Sequence, residues 1–426
     1  MAIASRCSIL ALLGFSLAAP PMAARAQSRA PVTITLDQAI HLALVHNPSM
    51  RAARSLIRQS RDVEVTANLR PNPVLTGDAM FIPIFQPAQL TASNINTISE
   101  FDLGASYLFE RGKKRQRRLQ AARDMTAVTT SQVADSERTL TNSVAQQFIG
   151  VLLAESALSF AKRDLASYQN TLQINRSRYK AGDISDGDFL KIRLQMLQFQ
   201  TDLSGAKLAR MQSLVALRQL IGYESVPADY DVSGSLVYQP LSASVGQLQA
   251  EALALRPDLR AARQSVTAAH SQYLLAKANG KQDVTLAFDY THVSALNNGT
   301  FFWNIPLPIF NRNQGEIARS QAAITQAQDS EIAARQAVLA DVASAYDTAE
   351  SDAQILKLYE SGYLNEAKQS RDISSYAYQH GGASLLDLLD AERSYRATEL
   401  GYLQTLAAYQ IALEQLREAV GTRRLP

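Results

Sequence analysis

The sequence predicts a mostly helical fold carrying a minority of membrane-type β-strands, duplicated in tandem. Three observations carry that expectation. A bend sequence occurs twice, with Tyr179/Tyr378, Gly182/Gly381, Ser185/Ser384, Asp188/Asp387 and Leu190/Leu389 each 199 residues apart. Long stretches free of Pro and nearly free of Gly flank each bend. Four shorter stretches alternate apolar and polar residues, the period of a strand with two different faces.

The first residues read as a secretory signal. Arg6 supplies a basic start, residues 9–19 an apolar run, and Ala24-Arg25-Ala26 a cleavage site. The signal is therefore expected over 1–26, with Gln27 starting the mature chain. The apolar run is too short to span a bilayer. Cys7, the only cysteine, falls inside the signal and before the apolar run, so neither disulfides nor thiolate chemistry is expected after export. A net charge of +3 is too small to point to nucleic acid.

The first repeat is expected over 27–222. Residues 36–69 read as helix, kinked or divided at Pro48, and Pro71-Asn72-Pro73 stops it. Strands are expected near 74–86 and 98–110, with a polar loop at 86–97. In the second strand Phe101, Leu103, Ala105, Tyr107 and Phe109 share one face; Glu100, Asp102, Gly104 and Ser106 share the other. A helix is then expected from Lys113 to Tyr179. Its sparse apolar positions, Leu140, Val144, Phe148, Val151, Leu158 and Leu165, form a narrow coiled-coil stripe. At the bend Gly182 permits a reversal through positive φ, and Ser185 is placed to cap the returning helix.

Residues 223–246, with Pro227, Gly234 and Pro240, join the halves. The second repeat, 247–426, follows the same plan. Arg256-Pro257 echoes Asn47-Pro48, and Phe310-Asn311-Arg312 echoes Phe109-Glu110-Arg111. Leu413, Leu416, Arg417 and Gly421 repeat Leu214, Leu217, Arg218 and Gly222. Strands are expected near 283–294 and 299–310, with Leu296-Asn297-Asn298-Gly299 as the turn between them. Pro306 and Pro308 belong at a strand end or on an unpaired edge. A second long helix is expected over 315–378, with Gly381 and Ser384 repeating the bend.

Strands of this length match a tilted crossing of a bilayer. The alternation also fits a soluble sheet covered by helices; the signal sequence and the helix lengths favour the membrane. Four strands cannot close a barrel with a lumen. Open edges are not tolerated in lipid, so several copies of the chain are needed.

With these features the chain resembles the outer-membrane efflux (TolC) family. The resemblance rests on the duplicated plan, on Arg70-Pro71-Asn72-Pro73 before the first strand, on residues 305–315 after the fourth, and on the two bends. The strand exit at 305–315 resembles the heavy-metal cation efflux (CzcC-like) branch. The resemblance implies a homotrimer with a twelve-stranded β-barrel in the outer membrane of a Gram-negative bacterium, continuous with an α-helical periplasmic tunnel. It also implies a tripartite pump with a periplasmic adaptor and an inner-membrane, proton-driven transporter. Tyr378, Asp387 and Asp390 fall where the family places aperture residues, and Asp188 matches a carboxylate on the neighbouring hairpin. Asp387 and Asp390 are three apart and share a helix face; threefold symmetry would make them rings of carboxylates favouring cations. An acidic residue early in a helix also complements the macrodipole, so both roles stay open. Arg178, Gly182, Ser185, Gly381 and Ser384 are expected at the periplasmic tips, where an adaptor docks. Ala383 stands where some members carry an arginine that ties the closed tip.

The basic run from Arg111 to Arg118 is expected as a solvated collar at the barrel-to-helix junction, near lipid headgroups, and not as a nucleic-acid site. The five histidines are scattered, and no structural metal, cofactor or catalytic set is expected. The leading function is an exit duct for solutes, heavy-metal cations among them. The alternatives are the outer-membrane component of a type I protein secretion system, or a periplasmic coiled-coil adaptor or scaffold.

Overall fold

Proline and asparagine chemistry sets the first break in the chain. In the computed structural model residues 32–425 are described; the expected signal sequence, with Cys7 and the cleavage site, lies outside the described residues. After β1 (Thr33–Ile34) and α1 (Leu36–His46), a separate helix α2 (Pro48–Asn68) begins. Pro lacks an N–H and suits the first helical position. Asn47 caps α2 by accepting from the Ser49 and Met50 N–H groups, and its own amide donates to the Leu220 carbonyl. Strands β2 (Val74–Met80) and β3 (Glu100–Phe109) follow. The stretch between them, expected as loop, holds a 3-10 turn (Pro87–Gln89) and α3 (Ala92–Thr97). The Thr91 hydroxyl caps α3 by accepting from the Asn94 N–H. Such local side-chain caps carry no periodicity signal.

Helix α4 (Lys114–Ala181) runs 68 residues without a break, about 100 Å at 1.5 Å per residue. Helix α5 (Asp186–Ile221) returns along it. The joining segment contributes β4 (Asp231–Val232), which pairs in parallel with β1 and so ties the link back to the start of the chain. The second half repeats the order: α6 (Val245–Leu255), α7 (Pro257–Asn279), β5 (Val284–Val293), β6 (Leu296–Asn304), α8 (Gln314–Leu358), α9 (Leu364–Gln379) and α10 (Leu385–Val420).

Two expectations are corrected here. The turn between β5 and β6 is Ser294-Ala295, both at positive φ (51° and 59°), and residues 296–299 are strand. The long helix expected over 315–378 is interrupted by a π turn (Tyr359–Tyr363), where Gly362 takes φ 142°. No side chain with a Cβ adopts that conformation without strain. Ile305 and the residues after it lie beyond β6, as the missing Pro306 and Pro308 donors require.

The four longer strands form one antiparallel sheet in the order β2-β3-β5-β6, leaving β2 and β6 as its edges. Its register sorts the side chains. Leu103 faces Tyr290, Leu286 faces Trp303 and Phe288 faces Phe301 on one side. That side is exposed, Phe301 by 82% and Trp303 by 73%. Asp78 faces Asp102 and Gly104 faces Asp289 on the other.

Below the sheet the helices pack around two similar cores. In the first, Ala39 and Ala43 of α1 meet Val144, Phe148 and Val151 of α4 and Leu217 and Ile221 of α5. In the second, Leu248 and Ala252 of α6 meet Val338 and Val342 of α8 and Leu416 and Val420 of α10. Part of α4 is long and apolar enough to cross a membrane by composition, yet more than half of that stretch is buried in the fold, as a core helix would be. A third core lies toward the bends, built on Tyr168, Ile192, Met196, Phe199, Tyr378, Leu385 and Leu388.

Candidate functional site

The two bends share one construction. Gly182 and Gly381 stand at φ 83° and 77° and end α4 and α9 in the left-handed region that glycine occupies without a Cβ clash. Ser185 then caps α5, its hydroxyl accepting from the Asp188 N–H at 3.1 Å. Ser384 caps α10 in the same way, accepting from the Asp387 N–H at 3.2 Å. The Asp387 carboxylate closes a capping box by accepting from the Ser384 N–H and hydroxyl. These bonds hold the Asp387 carboxyl below its ordinary value. Asp188 is held down likewise, first by the Ser185 hydroxyl and then by Lys191.

Within one chain the bends lie side by side. The Tyr378 hydroxyl donates to Asn175 Oδ1 at 2.8 Å. Arg178 donates to the Tyr378 carbonyl at 3.1 Å, and its guanidinium lies 5.2 Å from the centre of the Tyr378 ring. Tyr378 is 6% exposed: the ring expected to line the aperture sits in the seam between the hairpins. Asp390 is exposed and pairs with Arg393 at 3.4 Å. Asp387, Gly182, Ser185, Gly381 and Ser384 are exposed, and Asp188 is half-buried. Ala383, lacking any charged group, packs against the apolar core of the tip. The arginine that crosses the tip in this chain is Arg178, contributed by the other hairpin.

Sequence reasoning missed two parts of this seam. Asn175 is 1% exposed and lies seven residues after Tyr168 on the α4 stripe. A polar residue at a seam position marks a specific partner, and that spacing was the available signal. The second part is Arg396 on α10, which reaches into the first hairpin. It pairs with Asp164 of α4 at 2.7 Å and with Asp202 of α5, and its guanidinium covers the Phe199 ring. Burial pushes the Asp164 carboxyl up, against the opposing pull of Arg396. No motif marks this triad, because its members lie on three different helices.

At the other end, the polar face of the sheet carries Asp78, Asp102 and Asp289 on three adjacent strands. The Asp289 carboxylate lies directly over Gly104, where a Cβ would stand 1.7 Å from Oδ1. Both ends of the molecule therefore present carboxylates, and among the described residues no group of His, Cys, Asp and Glu is arranged to hold a metal ion.

Known proteins share this architecture. CzcC, the cobalt-zinc-cadmium resistance protein of Cupriavidus metallidurans, is 24% identical over 385 residues, covering 89% of this chain and 88% of CzcC. CusC, the cation efflux system protein of Escherichia coli, is 24% identical over 398 residues, covering 89% of this chain and 84% of CusC. A crystal structure of CusC superposes with a TM-score of 0.75 at 23% identity, covering 92% of this chain and 93% of that one. The family model described as outer membrane efflux protein matches residues 39–223 and 248–422. That match takes in both repeats, and the chain belongs to the outer membrane efflux protein family.

Proposed function

We propose that three copies of this chain form the outer-membrane exit duct of a tripartite pump that expels metal cations. The strand register carries the reading: one face of the sheet is apolar and aromatic, the other bears Asp78, Asp102 and Asp289. That is the lipid-out, lumen-in pattern of a transmembrane barrel. The edges β2 and β6 are unpaired within one chain, and lipid does not tolerate open edges. Joining β2 of one copy to β6 of the next, three times, gives a closed twelve-stranded barrel. The helical hairpins then extend into the periplasm.

In that assembly Asp387, Asp390 and Asp188 line the periplasmic aperture. Repeated by threefold symmetry, their carboxylates attract cations and repel anions. Tyr378 closes the seam behind them. The exposed tip positions Gly182, Ser185, Gly381 and Ser384, with Arg178 beside them, receive a periplasmic adaptor, which connects the duct to a proton-driven inner-membrane transporter. The metal-ion substrate class is supported by the names of the relatives CzcC and CusC and by the carboxylates at both ends.

The test uses the absence of cysteine after Cys7. Single cysteines placed along β2 and β6 are paired and oxidised in outer-membrane fractions. The expected result is a covalent trimer from matched β2 and β6 positions. A chain recovered as soluble monomer, with no intermolecular pairing at any register, defeats the proposal.

A further inference from the structure

We propose that the barrel-to-helix junction holds a dedicated site for the headgroup of an anionic phospholipid of the phosphatidylglycerol class. The inference rests on the membrane placement of the sheet. A cleft of about 230 Å³ opens where β3 meets α4, lined by Arg70, Tyr107, Phe109, Glu110, Lys114 and Arg115 among others. Its cations divide into two kinds. Lys114 is committed to Asp283 at 2.7 Å, and nearby Arg118 is committed to Glu110 at 2.8 Å and to the carbonyls ending α2. Arg70 is exposed with no carboxylate partner among the described residues. Arg115 makes only a long contact, 3.5 Å, to the Asn68 carbonyl.

Glu110, which lines the cleft, and Asp283 beside it are thus already paired, and the guanidinium groups of Arg70 and Arg115 are left lining one cleft. Guanidinium groups bind phosphate oxygens in a bidentate fork. The cleft also lies at a fixed depth. Tyr107 and Phe109 belong to the lipid-facing side of β3 and pack edge to face, 4.8 Å apart, at the end of the strand that continues into the long helices. Aromatic side chains occupy this position at a bilayer interface. A headgroup phosphate above those rings meets Arg70 and Arg115 while its acyl chains run along the apolar sheet face. The long helices leave from this end, so the leaflet is the periplasmic one.

The test uses the full-length trimer, exchanged from detergent into bilayer nanodiscs containing phosphatidylglycerol and phosphatidylcholine. Lipid retained on the protein is counted by native mass spectrometry. The wild type is expected to retain phosphatidylglycerol selectively. R70Q/R115Q is expected to lose that selectivity while remaining trimeric and conducting. R111Q, which removes a collar cation outside the cleft, is expected to keep it. Excess inorganic phosphate is expected not to displace the lipid. Equal loss in R111Q, retention in R70Q/R115Q, or displacement by free phosphate each overturns the site. A wild-type trimer that conducts but shows no lipid preference overturns the site alone and leaves the channel function standing.

Discussion

The Tyr378 hydroxyl donates to Asn175 Oδ1 at 2.8 Å, joining two residues 203 positions apart across the seam between the hairpins. Both side chains are buried, so neither can exchange its partner for water. Asn175→Ala leaves the tyrosine hydroxyl unpaired, at a cost of roughly 1–3 kcal/mol for a buried unsatisfied group. Tyr378→Phe leaves the amide oxygen unpaired at a similar cost. Tyr378→Phe combined with Asn175→Ala is expected to cost less than the two single changes summed, since both polar ends are then removed together. Urea unfolding of the detergent-solubilised protein measures this coupling. Strict additivity would mean that the bond does not hold the seam.

Arg396 is the stronger tie. Its side chain is 17% exposed and that of Asp164 is 5% exposed. Arg396→Met strands a buried carboxylate, a loss of roughly 3–5 kcal/mol. The pH dependence has a definite sign. Burial already raises the folded-state value of Asp164 above its ordinary 3.8. The folded state therefore favours the protonated form, and stability falls as pH rises through the window above 3.8. Removing the arginine that opposes this shift raises the value further. The stability deficit of Arg396→Met is expected to be larger at pH 8 than at pH 5. A deficit that grows toward acid would remove Asp164 as the group left unpaired.

The cap at the second bend titrates in the opposite direction. Asp387 is held below its ordinary 3.8 by the Ser384 hydroxyl and backbone. Its contribution is complete above 3.8 and is lost as pH falls through the lower folded-state value. Hydrogen-exchange protection at the first turn of α10, taken relative to the intrinsic rate at each pH, is expected to fall only below pH 3.8. Ser384→Ala is expected to show the lower protection already at neutral pH.

Gly104 makes room for the Asp289 carboxylate on the polar side of the sheet. Gly104→Leu is expected to block assembly of the heat-sensitive trimer, and adding Asp289→Ala is expected to restore part of it. Gel mobility with and without heating reads both outcomes. No recovery would mean that the contact between these two positions is not what limits assembly.

The legibility of the sequence varied with the kind of constraint. The long helix α4 was readable because a helix without Pro and nearly without Gly leaves a uniform signature. The break before Pro48 was readable because Pro at a first helical position follows from its missing N–H. The turn between β5 and β6 was not. Asn298-Gly299 has the better turn chemistry, yet the register pairs Tyr290 with Gly299 and Phe288 with Phe301. Placing the turn at 297–298 would pair Phe288 with Leu307 and Tyr290 with Ile305, which keeps the apolar face but draws Pro306 and Pro308 into the ladder, where neither has an N–H to donate. The interruption at Gly362 was hidden because an isolated Gly is tolerated in a helical pattern. At the interruption the Tyr359 hydroxyl packs against Gly401 of α10, where a Cβ would stand 2.7 Å from it. At the bends the left-handed glycines and the serine caps were legible from the repeat. The partners of Tyr378 and Arg396 were not, because they lie on other helices at unrelated sequence distances.

The most direct test of the duct is the reversal potential of single channels in planar bilayers under a potassium chloride gradient. The wild-type trimer is expected to conduct with a reversal potential displaced toward the cation equilibrium potential. Asp387→Ala combined with Asp390→Ala is expected to shift it toward zero and to weaken block by multivalent cations. A non-conducting trimer, or a double variant with unchanged selectivity and block, would contradict the assignment of these carboxylates to the narrowest part of the lumen.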